Sequence, residues 1–459
     1  MKKKIFLLKN KLGIDGAIAF TVLSRIIQAG GGVITLLFVA KFLSKVEQGY
    51  YYTFGSILAI QIFFELGLSN IITQFVAYEV ANLKWEDKVS FSGPIEASSR
   101  LSSLLRFTIR WFAVIAILLF IGLLITGYCF FYKFGKNDTV VEWQIPWVIL
   151  SVTTSLSLMI SPILAFLEGL GKIKEVAKIR LIQQVVQLLL ILSLFFIGFK
   201  LFSSPLAAII AFLLVPIWIL FSEKKKMLVF IWNKIDVYKV NYRLEIFPFQ
   251  WKIALSWISG YFIFQLFNPV LFATEGPIVA GQMGMTLAVL NSILMFTLSW
   301  VSTKVPIFSS LISKMNYKEL DSLFNKTLIQ SSFLNFVALT FFFMIIFIFR
   351  HFDIKIQGEN IADRFLPFFP MLFMTIPIFL NHVINAWATY LRCHKKEPML
   401  ILSIVIGILC SISTIVLGKK FGSFGMTLGY MILTILSFIW TYLIFKNKKT
   451  AWHAVIKEI

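Results

Sequence analysis

Cysteine is scarce in this chain of 459 residues: Cys129, Cys393 and Cys410 stand far apart, with no paired spacing. That argues against a disulfide framework and a thiolate metal site, and the four histidines are equally dispersed. No metal or cofactor is expected. Charge is also scarce, at 14% of residues against about 25% in an ordinary soluble domain. Acid is the scarcer sign, with 22 Asp and Glu against 43 Lys and Arg. Nor is there a long polar stretch, so a separate ligand-binding domain or signalling tail is not expected.

What is there is apolar. Hydrophobic residues make up 58% of the chain, with 49 Phe and 12 Trp, and mean hydropathy is +0.85. A single soluble core of this length could not hide so much apolar surface, which needs lipid as its solvent. A bilayer core takes about 20 apolar residues per helix. That ruler gives twelve candidate spans: 17–40, 50–69, 107–131, 143–167, 181–199, 203–221, 251–272, 285–305, 329–349, 365–390, 399–417 and 424–445. The expected fold is therefore an all-α polytopic membrane protein of about twelve transmembrane helices.

The net charge of +21 does not indicate a nucleic-acid partner, because Lys and Arg lie in short connectors between spans. They favour alternate connectors. With both termini on one side, that side holds 31 of the 43 basic residues and the other side 10. This asymmetry predicts cytoplasmic termini. The N-terminal MKKKIFLLKNKLG has too short an apolar part for a signal peptide and no small-residue cleavage site, so it is expected to stay as a basic segment on the cytoplasmic face. The longest connector carries Lys224, Lys225, Lys226, Lys234, Lys239 and Arg243 among aromatics, a mixture suited to an interfacial helix on anionic lipid.

That connector falls at the midpoint and divides the chain into an N-terminal six-helix bundle (1–222), a basic interfacial linker (223–250) and a C-terminal six-helix bundle with a short tail (251–459). The halves echo one another: LSKVEQGYYYTFGSIL from Leu43 matches EGPIVAGQMGMTLAVL from Glu275 when Gly49 is set on Gly281. Six spans per half insert with the same orientation. Two such repeats are related by an axis along the membrane normal, with a substrate site between them.

The stretch FLSKVEQGYYYTF, followed by FELGLSNIITQFVAYE (64–79), resembles the polysaccharide flippases of the multidrug/oligosaccharidyl-lipid/polysaccharide exporter superfamily. In particular, an acidic residue followed by Leu-Gly-Leu-Ser is similar to an element of O-antigen translocases of the Wzx type, and LEGLGKIK after the fourth span fits as well. The resemblance implies two six-helix bundles around a central cavity, alternating access, and an undecaprenyl-diphosphate-linked oligosaccharide as cargo. It implies membrane lipids as surroundings and a polysaccharide polymerase as a candidate partner. One departure stands out: the position matching Glu65 in the second half is Thr297.

Polar residues inside spans are functional candidates because their burial in lipid is costly. Arg25, with Gln28 one turn on and Gly30 to Gly32 beyond, is the leading candidate for a phosphate contact, since guanidinium grips phosphate in a bidentate way. An ion pair with Glu65, or snorkelling to the interface, would also accommodate Arg25. Glu65 is read as a coupling carboxylate or as the partner of Arg25. Asn70 and Lys304 stand near the expected cytoplasmic mouth, and Gln265, Asn268 and Asn291 offer amides to sugar hydroxyls. Gln183, Gln184 and Gln187 on the fifth span, and Asn381 and Asn385 on the tenth, can contact sugar or glue helices together. His382 reads as a packed neutral residue rather than a proton relay. Two rivals remain: a cation-coupled multidrug exporter of the same superfamily, and a membrane glycosyltransferase or polymerase. The enzyme is disfavoured because the longest outer loop, 350–364, holds Asp353, Glu359 and Asp363 without catalytic spacing.

Overall fold

The computed structural model describes residues 16–135, 141–233, 238–356, 358–394 and 396–454. Apart from two small two-stranded sheets, β1 (Lys84–Trp85) with β2 (Phe91–Ser92) and β3 (Lys355–Ile356) with β4 (Glu359–Asn360), the regular structure is helical. This follows from lipid as solvent: a helix satisfies its own backbone hydrogen bonds, and an open strand does not.

In chain order the helices are α1 (Gly16–Phe42), α2 (Lys45–Leu58), α3 (Ile62–Glu65), α4 (Leu68–Val80), α5 (Ile95–Phe134), α6 (Gln144–Leu167), α7 (Ile173–Ile197), α8 (Ser203–Phe221) and α9 (Glu223–Asn233). They continue with α10 (Phe247–Phe264), α11 (Phe267–Thr274), α12 (Pro277–Ser302), α13 (Val305–Ser313), α14 (Tyr317–His351), α15 (Phe368–Arg392) and α16 (Leu400–Ala454). Among the described residues nine helical segments are long and apolar enough to cross a membrane. Two of them, Gln144–Ile197 and Leu400–His453, run 54 residues. A helix of that length is about 80 Å long, against a hydrocarbon core of about 30 Å, so each holds two crossings. Each is also broken by a left-handed glycine, Gly171 (φ 83°) and Gly422 (φ 57°). With α1, 27 residues long, the count agrees with about twelve spans.

The chain forms two compact units. The first comprises Met1–Gln28, Leu58–Lys133 and Glu142–Trp257, the second Ala29–Ile57, Phe134–Val141 and Ile258–Ile459. In the first unit α4, α6, α7 and α8 pack together. Gly169 lets the α6–α7 turn press on α4, where an added Cβ would lie 2.8 Å from the Thr73 carbonyl oxygen. The basic connector is docked rather than loose. Lys224, Met227 and Ile231 of α9 are buried, Arg106 donates to the Trp232 carbonyl at 2.8 Å, and Ser99 donates to the Tyr238 carbonyl at 2.8 Å. Arg100 bridges buried Glu79 (2.8 Å) and Glu245 (2.5 Å).

In the second unit α12, α14, α15 and α16 pack around a core that includes Phe308, Phe324, Trp387, Tyr390 and Phe445. At the Gly422 break Glu275 accepts from the Ser423 amide at 2.8 Å, supplying a partner to an amide the interrupted helix exposes.

Candidate functional site

The first unit contains a polar cavity of about 420 Å³. Its construction starts at the break between α3 and α4. Leu66 (φ 50°) and Gly67 (φ 69°) both take left-handed conformations, and there is no room for a side chain at Gly67, whose added Cβ would lie 2.4 Å from Ile253 Cγ2. The break turns Glu65, Ser69, Asn70 and Thr73 into the cavity. From α6, Ser157 and Ser161 share one helical face at i and i+4, and Glu168 stands at the start of the following π turn. From α7 come Arg180, Gln183 and Gln184, again one face, and Trp257 of α10 completes the wall.

The chemistry is that of hydroxyls and amides with two carboxylates, Glu65 and Glu168, and a single guanidinium. Arg180 Nη1 lies 3.0 Å from Glu168 Oε1, and the arginine side chain remains 42% exposed, so donors are left over for a further anion. Ser24 donates to Gln184 Oε1, and the Ser69 hydroxyl is buried without a partner among the described residues. Pockets of about 300–1,000 Å³ hold drug-sized ligands. At about 420 Å³ this one has room for a sugar ring or a diphosphate, not for a whole oligosaccharide.

The sequence-derived candidates divide as follows. Glu65 and Asn70 line this cavity, as do Gln183 and Gln184. Arg25 lies on α1, but its side chain is outside the described residues. Gln28 is exposed on α1. The others belong to the second unit. Gln265 is half-buried at the break between α10 and α11, Asn291 is exposed on α12, and Lys304 is half-buried at the start of α13. Asn268 is buried and donates to Ser56 Oγ at 3.0 Å. In the sequence Glu168 reads only as a member of LEGLGK, and Arg180 only as a connector charge. The signal that singles out Arg180 is its place three residues before Gln183 and four before Gln184.

In the second unit the loop between α14 and α15 grips the turn between α1 and α2. Arg364 is buried and donates to the Leu43 carbonyl (2.6 Å) and to Gln48 Oε1 (3.2 Å). Gln48 donates in turn to the carbonyls of Gly281 (2.8 Å) and Arg364 (3.1 Å). Lys45 lies 3.6 Å from both Glu359 and Asp363. Burial pushes the Arg364 pKa down from its ordinary value, while Glu359 and Glu47 push it back up. Beside this latch, the two glycines matched between the repeats meet. A Cβ on Gly49 would lie 2.0 Å from the Pro277 carbonyl oxygen, and one on Gly281 would lie 2.9 Å from the Gly49 amide nitrogen.

No family profile matches the sequence, and no curated protein matches it. Solved structures do. The lipid II flippase MurJ in an inward closed conformation superimposes with a TM-score of 0.58 at 16% identity, over 93% of this chain and 87% of that one. The MATE multidrug transporter DinF-BH, in a ligand complex, gives 0.55 at 13% identity, covering 95% and 96%. An inward-facing MATE-family multidrug transporter of the MOP superfamily gives 0.54 at 13% identity, covering 92% and 99%. The chain has the polytopic fold shared by these transporters.

Proposed function

We propose that this protein is a flippase that carries an undecaprenyl-diphosphate-linked oligosaccharide, an O-antigen or capsule repeat unit or a relative, from the cytoplasmic to the outer leaflet of a bacterial inner membrane by alternating access. The observation that carries the reading is the lining of the first unit's cavity. Hydroxyls and amides from three helices, with the carboxylates of Glu65 and Glu168, surround Arg180, and Trp257 offers an apolar face. Sugars need such donors and acceptors, and a diphosphate needs a cation with free donors. A likeness in fold to MurJ, a lipid II flippase by name, is compatible with a lipid-linked cargo. It carries no more than that at 16% identity.

In this reading Asn70, Gln183 and Gln184 contact sugar and Arg180 contacts phosphate, with Arg25 and Gln28 on α1 as a second phosphate contact. Gln265, Asn291 and Lys304 are further polar contacts along the path, and Asn268 holds the α2–α11 packing through Ser56. Glu65 couples transport to an ion or stays a polar wall. The chain carries out no covalent chemistry. Deleting the gene should accumulate one undecaprenyl-linked saccharide on the cytoplasmic side, and plasmid-borne wild-type protein should clear it. Deletion without accumulation, combined with sensitivity to cationic dyes, would instead support a multidrug exporter.

A further inference from the structure

Thr297 matches Glu65 in the repeat, and its surroundings differ from those of a simple packed threonine. Thr297 on α12, Ser331 and Asn335 on α14, and His382 on α15 are all fully buried. The imidazole lies between two hydroxyls, with Nδ1 3.3 Å from Thr297 Oγ1 and Nε2 3.0 Å from Ser331 Oγ. Asn335 Nδ2 donates to Thr297 Oγ1 at 2.9 Å. The Asn335 carbonyl oxygen, Oδ1, is buried with no partner among the described residues.

The freedom of the hydroxyls to turn decides what the cage can bind. Each hydroxyl has one proton to give and two lone pairs. Thr297 has the Ile293 carbonyl at 2.9 Å and the Leu294 carbonyl at 3.1 Å as acceptors on its own helix, and Ser331 has the Leu328 carbonyl at 3.2 Å. With one hydroxyl turned to the ring, a neutral imidazole is satisfied, donating to one oxygen and accepting from the other. With both hydroxyl protons on backbone carbonyls, both ring nitrogens face lone pairs and a doubly protonated ring is satisfied. Asn335 Oδ1 adds a further unpaired acceptor to the same cluster. Among the described residues, the ring's hydrogen-bond partners carry no charge. Thr297, Ser331 and Asn335 are neutral, and Tyr430 of α16, beside Cys410, is engaged one residue away by Asn381 at 3.0 Å.

We propose that His382 is a proton-binding site buried in the second unit, with Thr297, Ser331 and Asn335 as its oxygen cage. The oxygen cage accommodates the neutral and the protonated ring alike and the apolar surroundings oppose the charge, so the site can load and unload. One proton adds to the bare ring nitrogen to give an imidazolium, and the same proton leaves on release. On loading, the hydroxyl that faced the bare nitrogen turns its proton to a backbone carbonyl of its own helix, and on release it turns back. This goes beyond the packing role read from the sequence, and it holds whichever cargo the protein carries.

The test is ¹⁵N NMR of the full chain labelled at histidine, reconstituted in lipid nanodiscs and titrated from about pH 8 to pH 4, the range in which imidazoles change charge. His382→Gln identifies the signal; if that variant fails to fold, the signal moved by Thr297→Val identifies it instead. The expected result is a reversible change from a neutral to a doubly protonated ring. Thr297→Val and Ser331→Ala should each lower its proton affinity about tenfold, because each removes one charge-assisted hydrogen bond. A ring that stays neutral down to the pH at which the protein unfolds would overturn the proposal. So would hydroxyl variants that leave the midpoint unchanged. Neither readout depends on transport, so failure here leaves the flippase reading standing.

Discussion

Arg180 and Arg100 are both arginines near the end of a span, yet their partners give them different work. Arg180 has Glu168 on one side and open cavity on the other. Arg180→Lys keeps the charge but loses the planar fork. It should retain part of the export, while Arg180→Ala should lose about tenfold or more, read as surface polymer per unit of membrane-inserted protein. Arg100 is held between Glu79 and Glu245, so removing it leaves the buried Glu79 and the half-buried Glu245 unpaired and should cost stability, by less than the about 3–5 kcal/mol of a fully buried pair broken on one side. Hydrogen bonding to Arg100 holds the Glu245 carboxyl below its ordinary pKa. A depressed carboxyl contributes stability above its unfolded pKa, and that stability is lost as pH falls through the folded value. Wild-type protein should therefore lose thermal stability on acidification below about pH 4.5, and Arg100→Gln should lose less over the same window. Equal slopes in the two proteins would contradict the role of this contact.

Helix breaks and close approaches set the architecture at the scale of elements. Gly49 touches the Pro277 backbone, so Gly49→Leu has no cavity to occupy. Overpacking of this kind costs about 1–3 kcal/mol, and the variant should show a lowered unfolding midpoint by fluorescence size-exclusion, whereas Gly55→Ala on the same segment, where an added Cβ meets nothing, should not. Much at this scale is legible in the sequence. Apolar runs and basic connectors mark about twelve spans because lipid demands them, and the match of Gly49 to Gly281 points to two positions that do touch. Other features are not legible. The Leu66–Gly67 break sits inside a run that reads as one continuous span, since hydropathy carries no information on φ. The docking of α9 onto α5 rests on Arg106 meeting a carbonyl 126 residues away. Arg180 reads as a loop charge because its helix begins at Ile173, earlier than the apolar run does. Hydropathy reads where a helix meets lipid and is blind to its polar extension.

For the whole molecule, the charge asymmetry makes a topological prediction. Single cysteines placed near Lys225 and Lys448 should be shielded from an impermeant thiol reagent in intact cells, and one near Glu359 should be labelled. The reverse pattern, or labelling of Lys225 and Glu359 positions together, would contradict cytoplasmic termini. The cargo itself is identified most directly with purified protein. Reconstitute the protein in vesicles with a fluorescent undecaprenyl-diphosphate oligosaccharide in the inner leaflet, and add a membrane-impermeant quencher outside. Flipping predicts that protein-containing vesicles lose fluorescence faster than empty ones and that Arg180→Ala slows the loss. Unchanged fluorescence in vesicles that nonetheless expel a cationic dye would contradict the lipid-linked cargo.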